Sequence, residues 1–209
     1  MRKRGADMSL CDRCEKKDAY IHWNSTIKSE RLCLSCYNLM LTDMLSVEAT
    51  SYPDGVTIQD GEGEPHHFRL RKTLDPIGVI MEAEELVDGG YQFTVHGELD
   101  VDQGQLFLEL IAKAERGMAE IYIQKGEFPN GQHFHSLIND RLVGRIESDL
   151  SDDQIPLVAV DGKSYTWNEV GKMLMSYEGF QVKLEMIDRF EEIEWENGMA
   201  VLDEDFEDE

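Results

Sequence analysis

The spacing of hydrophobic positions changes along the chain, and each change marks an element. Over 66–74, Phe68, Leu70 and Lys72 alternate with Arg69, Arg71 and Thr73, a period of two that predicts a strand with one charged face. Residues 77–86 (IGVIMEAEEL) read as a further strand rather than a short helix, Gly89-Gly90 as a turn and 91–95 (YQFTV) as a strand. From 102 to 122 the period lengthens to three and four. Leu106, Phe107, Leu110, Ile111, Ala114, Met118 and Ile121 form one apolar face of a helix capped by Asp100 or Asp102, with Gly117 weakening its end.

Residues 157–160 are β-forming, and Asp161-Gly162 signals a two-residue hairpin that returns through Ser164 and Tyr165. Thr166 with Glu169 three positions on is a capping box, and it opens a helix with Val170, Met173, Leu174 and Tyr177 inward and Gly179 at its end. Residues 180–186 (FQVKLEM) alternate again and predict a final strand. The following RFEEIEW predicts an amphipathic helix or a linear peptide docked on the body or on a partner. Near the N-terminus, 19–23 (AYIHW) and the stretch after it read as two short strands. Residues 37–45, with Leu39, Leu41 and Leu45, read as a helix.

Charge divides the 209-residue chain unevenly. Its net charge is −23, yet residues 1–37 hold eight Lys/Arg against five Asp/Glu, which is +3 and leaves −26 for the rest. General nucleic-acid binding rests on neutralising phosphates, so the acidic body is excluded from that role. No apolar run is long enough to span a membrane, and the charged start has no apolar stretch after it to make a signal peptide. A cytoplasmic protein with reduced thiols is expected.

That expectation bears on the four cysteines. Cys11, Cys14, Cys33 and Cys36 form two CxxC pairs separated by 18 residues. Each pair offers two thiolates from one turn, and two such turns complete a tetrahedron around one ion. Paired disulfides do not suit the compartment, and redox CxxC motifs do not come doubled in one small hairpin. The tetrad predicts one structural zinc ion, because four thiolates leave no position open for water. A CxxC turn, a hairpin and a helix whose start carries the second pair make a treble clef.

The pattern of Cys11, Cys14, Ala19, His22, Leu32, Cys33 and Cys36 resembles the N-terminal zinc module of bacterial protein-arginine kinase activators. The resemblance covers less than a fifth of the chain. It implies a protein-contacting zinc module in a bacterial cytoplasm rather than an activity. Residues 161–184 and 74–86 look similar to bacterial domains of unknown function.

The expected architecture is therefore α+β: an N-terminal treble-clef zinc module followed by a mainly antiparallel sheet with two helices on one face. Its expected segments are the module at 1–47, an acidic Gly/Pro-rich linker at 48–65, an α+β domain at 66–188 and a partly disordered acidic tail at 189–209. Other candidate chemistry is thinner. His22 is a conceivable extra ligand. His133 and His135, two apart on a strand, could join Glu82, Glu84 or Glu85 around a second metal. No nucleophile elbow, phosphate loop or dinucleotide fingerprint occurs, so no catalytic residue is assigned.

Three functions compete. The first is a non-enzymatic interaction or regulatory protein whose acidic body meets a basic protein partner, with homo-oligomers left open. The second is a nucleic-acid-associated protein or acidic nuclease inhibitor using Arg2, Lys3, Arg4, Arg13, Lys16 and Lys17. The third is a hydrolase with an unrecognised site in 66–188.

Overall fold

The structure is a computed structural model that describes residues 9–48 and 50–195. It is α+β, with eleven strands that pair only antiparallel and three α-helices among the described residues. The first hairpin joins β1 (Ile21–Asn24) to β2 (Ser29–Leu32), and α1 (Leu34–Leu45) follows directly. A four-stranded sheet then runs in the order β3 (Gly55–Gln59), β4 (Pro65–Asp75), β5 (Gly78–Glu85) and β6 (Gln92–Gly97). Thus β3 lies inside the stretch expected to be a linker. Its Val56 and Ile58 turn inward and pair with Phe68 and His66 of β4.

The alternation of β4 gives one face of this sheet. Phe68, Leu70, Leu74, Val79, Met81, Ala83 and Val95 are buried beneath Leu106, Leu110, Ala114 and Met118 of α2 (Gln103–Ala119). Asp102 is the N-cap, its carboxylate accepting from Gly104 N at 2.8 Å and Gln105 N at 3.1 Å. Gly117 has a packing reason: a Cβ there would run into the ring of Phe93 on β6. Lys72 sits in the apolar row of β4 and is buried. Its ammonium donates to Thr50 O at 2.7 Å and to Gln103 Oε1 at 2.8 Å, so a polar side chain is satisfied inside the core.

The remaining strands form a second, separate core. Two of them, β7 (Ile123–Glu127) and β8 (His133–Leu137), pair with each other. A three-stranded sheet has the order β11 (Lys163–Thr166), β10 (Leu157–Val160), β9 (Arg145–Glu147). Ile123, Leu137, Val158, Val160 and Tyr165 bury Val170 and Met173 of α3 (Trp167–Leu174). The Asp161-Gly162 turn has φ of 49° and 69°, both left-handed, as a two-residue hairpin of this type requires. The capping box is present: Glu169 N donates to Thr166 Oγ1 at 3.2 Å and Thr166 N to Glu169 Oε2 at 2.8 Å.

The expected single sheet with two helices on one face is therefore corrected to two cores. The helix α2 lies on the four-stranded sheet, while α3 lies on β8 and β11. Leu174, expected inward, is 39% exposed. Residues 180–186, expected as a last strand, join none of these sheets. Residues 189–195 are not helical but do dock. Lys113 Nζ donates to the carbonyls of Arg189 and Phe190, Arg116 pairs with Glu192, and Arg141 stacks on Trp195. The acidic end at 196–209 and the basic residues Arg2, Lys3 and Arg4 lie outside the described residues.

Candidate metal centre

Two turns present the cysteines. In the first, Glu15 N donates to Cys11 O at 2.9 Å, and Glu15 adopts φ 52° so that the chain reverses after Cys14. Cys11 N donates to Lys17 O at 2.9 Å. The turn is tied to the hairpin through Asp12, whose N–H donates to Arg31 O while its carboxylate accepts from Arg31 N at 2.6 Å. In the second, Cys33 is the N-cap of α1 in extended conformation and Cys36 lies in the first helical turn. Cys33 makes no side-chain capping bond, which leaves its sulfur directed to the cluster.

The four sulfurs lie within 4.8 Å of one another, with Cys14 Sγ and Cys33 Sγ 3.8 Å apart. Tetrahedral zinc–thiolate bonds of ~2.3 Å place sulfurs roughly 3.8 Å apart, so the donor set fits such an ion. Cys11 and Cys33 are buried, and Cys14 and Cys36 are partly so. Thiols packed this closely cannot all ionise unless a cation shares their charge. Burial and the neighbouring Cys33, Cys11 and Cys14 push the Cys36 thiol up to about 12. Burial also opposes ionisation of Cys11, but the backbone N–H groups of Cys14, Cys33 and Arg13 outweigh it and hold this thiol at about 6. The N–H groups of Lys16 and Lys17 lower Cys14. The four sulfurs could therefore share one positive ion.

A guanidinium–carboxylate clamp braces the site from behind. Arg13 Nε donates to Glu30 Oε1 at 3.2 Å and Arg13 Nη2 to Glu30 Oε2 at 2.9 Å, while Lys28 Nζ reaches Glu30 Oε1 at 2.8 Å. The hydrogen bonds from Arg13 and Lys28 hold the Glu30 carboxyl near about 2. Nothing in the sequence pattern singled out this pair. Of the residues expected to form a basic face, Arg13 and Lys17 have polar partners within the module, as do the nearby Lys28 and Arg31. Arg13 and Lys28 are engaged by Glu30, Arg31 by Asp12, and Lys17 by Ser35 Oγ.

The module is fixed to the body through α1. The strand β4 outruns β3, whose pairing stops at Arg69, so the far half of β4 has an open edge. Asn38 of α1 closes it: Asn38 Nδ2 donates to Lys72 O at 2.6 Å, and Leu74 N donates to Asn38 Oδ1 at 3.0 Å. Lys72 N donates to Tyr52 Oη at 2.9 Å. Consequently Cys11, Leu32, Cys33, Met40 and Leu41 share one core with the four-stranded sheet.

The other candidates are not brought together. His22 is exposed on β1, opposite Arg31. His133 and His135 lie on β8, whereas Glu82, Glu84 and Glu85 lie on β5, where Glu84 pairs with Arg69 and Arg71. Among the described residues the four cysteines are the one group of three or more His, Cys, Asp or Glu with convergent ligand atoms. A histidine the sequence did not single out has two carboxylate partners. His66 Nδ1 is 2.8 Å from Glu85 Oε1 and Nε2 is 3.3 Å from Asp60 Oδ2. Its carboxylates flank opposite ring nitrogens, and their other oxygens accept from backbone N–H groups of Glu62, Glu64 and Tyr91. That network is closed and pins the turn at 60–64 to the sheet. No helix among the described residues is long and apolar enough to cross a membrane.

Comparison with known proteins follows the same partition. Residues 10–48 match a family model described as a domain of unknown function (DUF7685), 50–119 one so described (DUF7686) and 122–191 another (DUF7713). No curated protein and no solved structure gives a significant match. The first boundary falls after α1 and the second after the last residue of α2, so the third segment carries the second core.

Proposed function

We propose that the four cysteines hold one structural zinc ion in a treble-clef module, and that the protein is a non-enzymatic interaction or regulatory protein. The convergence of four sulfurs on one point is the observation that carries this reading. Thiolate-only sets suit zinc, and a closed tetrahedron leaves no site for a reacting water. Segment 10–48 then acts as a rigid head, and the acidic remainder favours a basic protein partner. The internal pairing of Arg13, Lys28 and Arg31 supports a protein partner over nucleic acid, since phosphates would compete with those carboxylates.

Two measurements test the two halves. Elemental analysis should give one zinc per chain, lost in Cys33→Ser/Cys36→Ser; a stoichiometry of zero in the wild type ends the metal assignment. Purification from the native host at low salt should retain a basic protein that elutes as salt rises. Recovery of the chain alone under those conditions ends the partner assignment.

A further inference from the structure

The edges of the four-stranded sheet are treated differently. Asn38 closes the far half of β4. At β6, Lys113 Nζ donates to Thr94 O at 3.1 Å and Phe190 packs on His96. At β3 the edge is open. Leu70 N donates to Asp54 O at 2.9 Å and Asp60 N to Glu64 O at 3.0 Å, and the register between them makes Val56 and Ile58 the residues bonded to β4. The backbone N–H and C=O groups of Gly55, Thr57 and Gln59 therefore point away from β4. Among the described residues none of them pairs with another backbone group. Natural edges are commonly protected by lysine, proline or a bulge, and β3 (GVTIQ) has none of these.

Beside this edge an open groove of about 590 Å³ runs between β3 and α2, lined by Val56, Ile58, Pro65, Ile111 and Glu115. That volume takes the side chains on one face of a short strand. Leu108, three residues before Ile111 on the same flank of α2, is 58% exposed. The rim carries one sign of charge. Residues 50–65 hold Asp54, Asp60, Glu62 and Glu64 and no Lys or Arg, and Glu115 adds a carboxylate from α2. Of the nearby bases, Arg69 is held by Glu84, and His66 lies between Asp60 and Glu85.

We propose, resting on the reading of the acidic body as the binder of a basic protein, that β3 is the docking edge for an extended basic segment of that partner. The segment adds a fifth strand to the sheet. Gly55, Thr57 and Gln59 supply the backbone hydrogen bonds, and the groove takes alternate side chains of the incoming strand. Apolar residues in its middle meet Val56, Ile58 and Ile111. Lys or Arg at its ends meet Asp54 on one side and Asp60 and Glu115 on the other. Charge disfavours a second copy of this chain as the occupant. Two β3 strands in their longest antiparallel overlap centre on Thr57, which sets Asp54 of each copy opposite Asp60 of the other. Like charges directly opposed destabilise a sheet pair.

Titration of the isotope-labelled full chain with the capped peptide Lys-Thr-Val-Thr-Val-Thr-Lys, followed by amide shifts, tests this. Its lysines and valines share one face at the spacing of Asp54, Val56, Ile58 and Asp60. Shifts should concentrate in 55–59 and 108–115, and binding should weaken as salt rises. The counterpart with Glu in place of both Lys should bind about tenfold more weakly or worse. Thr57→Pro removes an outward N–H without touching the β4 ladder and should weaken binding by about tenfold. Leu108→Lys, at an exposed helix position, should do the same with the melting temperature unchanged. No shift at millimolar peptide, equal binding of the Glu counterpart, shifts elsewhere, or full affinity in both variants would each overturn the proposal. A basic protein retained from the native host by wild type and both variants alike would leave the partner reading standing and remove β3 from it. Recovery of the wild-type chain alone would end the partner reading itself, and this placement with it.

Discussion

The two cores are built on different principles. The first joins 10–48 to 50–119: a cysteine cluster fixes a hairpin and helix, and that helix closes the open edge of a sheet. The second, within 122–177, is smaller and rests on apolar packing, a tight hairpin and a capping box. Small cores are marginal because little surface is removed from water, and metal binding is one way to supplement them. The difference teaches where each core is vulnerable, and four measurements separate them.

The largest effect should come from Cys33→Ser/Cys36→Ser or from chelation. With zinc bound as proposed, the ion contributes on the order of 10 kcal/mol to the module that holds it. Hydrogen exchange should accelerate in β1, β2, α1 and the far half of β4, with α3 and the β10–β11 hairpin unchanged. Equal acceleration in both cores would mean that they fold as one unit. The next effect should come from Asn38→Ala, which leaves Lys72 O and Leu74 N unpaired at a partly buried edge. A loss of about 1–3 kcal/mol is expected by denaturant unfolding, without loss of the metal. A metal content that falls with it would place Asn38 in the integrity of the site itself.

A smaller effect is confined to the second core. Thr166→Ala removes the hydroxyl of the capping box and should cost ~1 kcal/mol, read in the exchange of α3 amides, with α1 unaffected. The smallest concerns His66. Burial opposes its protonation, but Glu85 and Asp60 outweigh burial and raise its pKa above the ordinary value. A raised folded pKa means that this contribution is full below the unfolded value of about 6.5 and is lost as pH rises through the folded one. Stability of the first core should therefore decline as pH rises from about 6.5, and His66→Gln should flatten that decline. An unchanged pH profile in His66→Gln would assign the decline to another group.

Local features were legible in the sequence. The cysteine spacing led to the cluster, the apolar period to α2, and Thr166 with Glu169 to α3. Each depends on residues a few positions apart or on a chelate spacing, which chain geometry fixes. Gly117 read as a defect because its reason, the Phe93 ring, comes from a distant strand. The alternation placed Lys72 in the row of Phe68 and Leu70 but not the partners that satisfy its charge there, because Thr50 and Gln103 are remote in sequence. The segment 48–65 read as a linker because its turn residues outnumber its apolar ones, yet pairing with β4 orders it.

The sequence by itself determined the cysteine set, the α+β class, the helices and the Asp161-Gly162 hairpin, because these follow from periodicity, capping and left-handed turn chemistry over short spans. Only the tertiary structure decided that the body holds two cores, that Asn38 closes the open edge of β4, that His66 lies between two carboxylates, and that 180–186 joins no sheet. Strand pairing is a choice among distant partners, and the period of two in FQVKLEM says that a strand can form without saying against what.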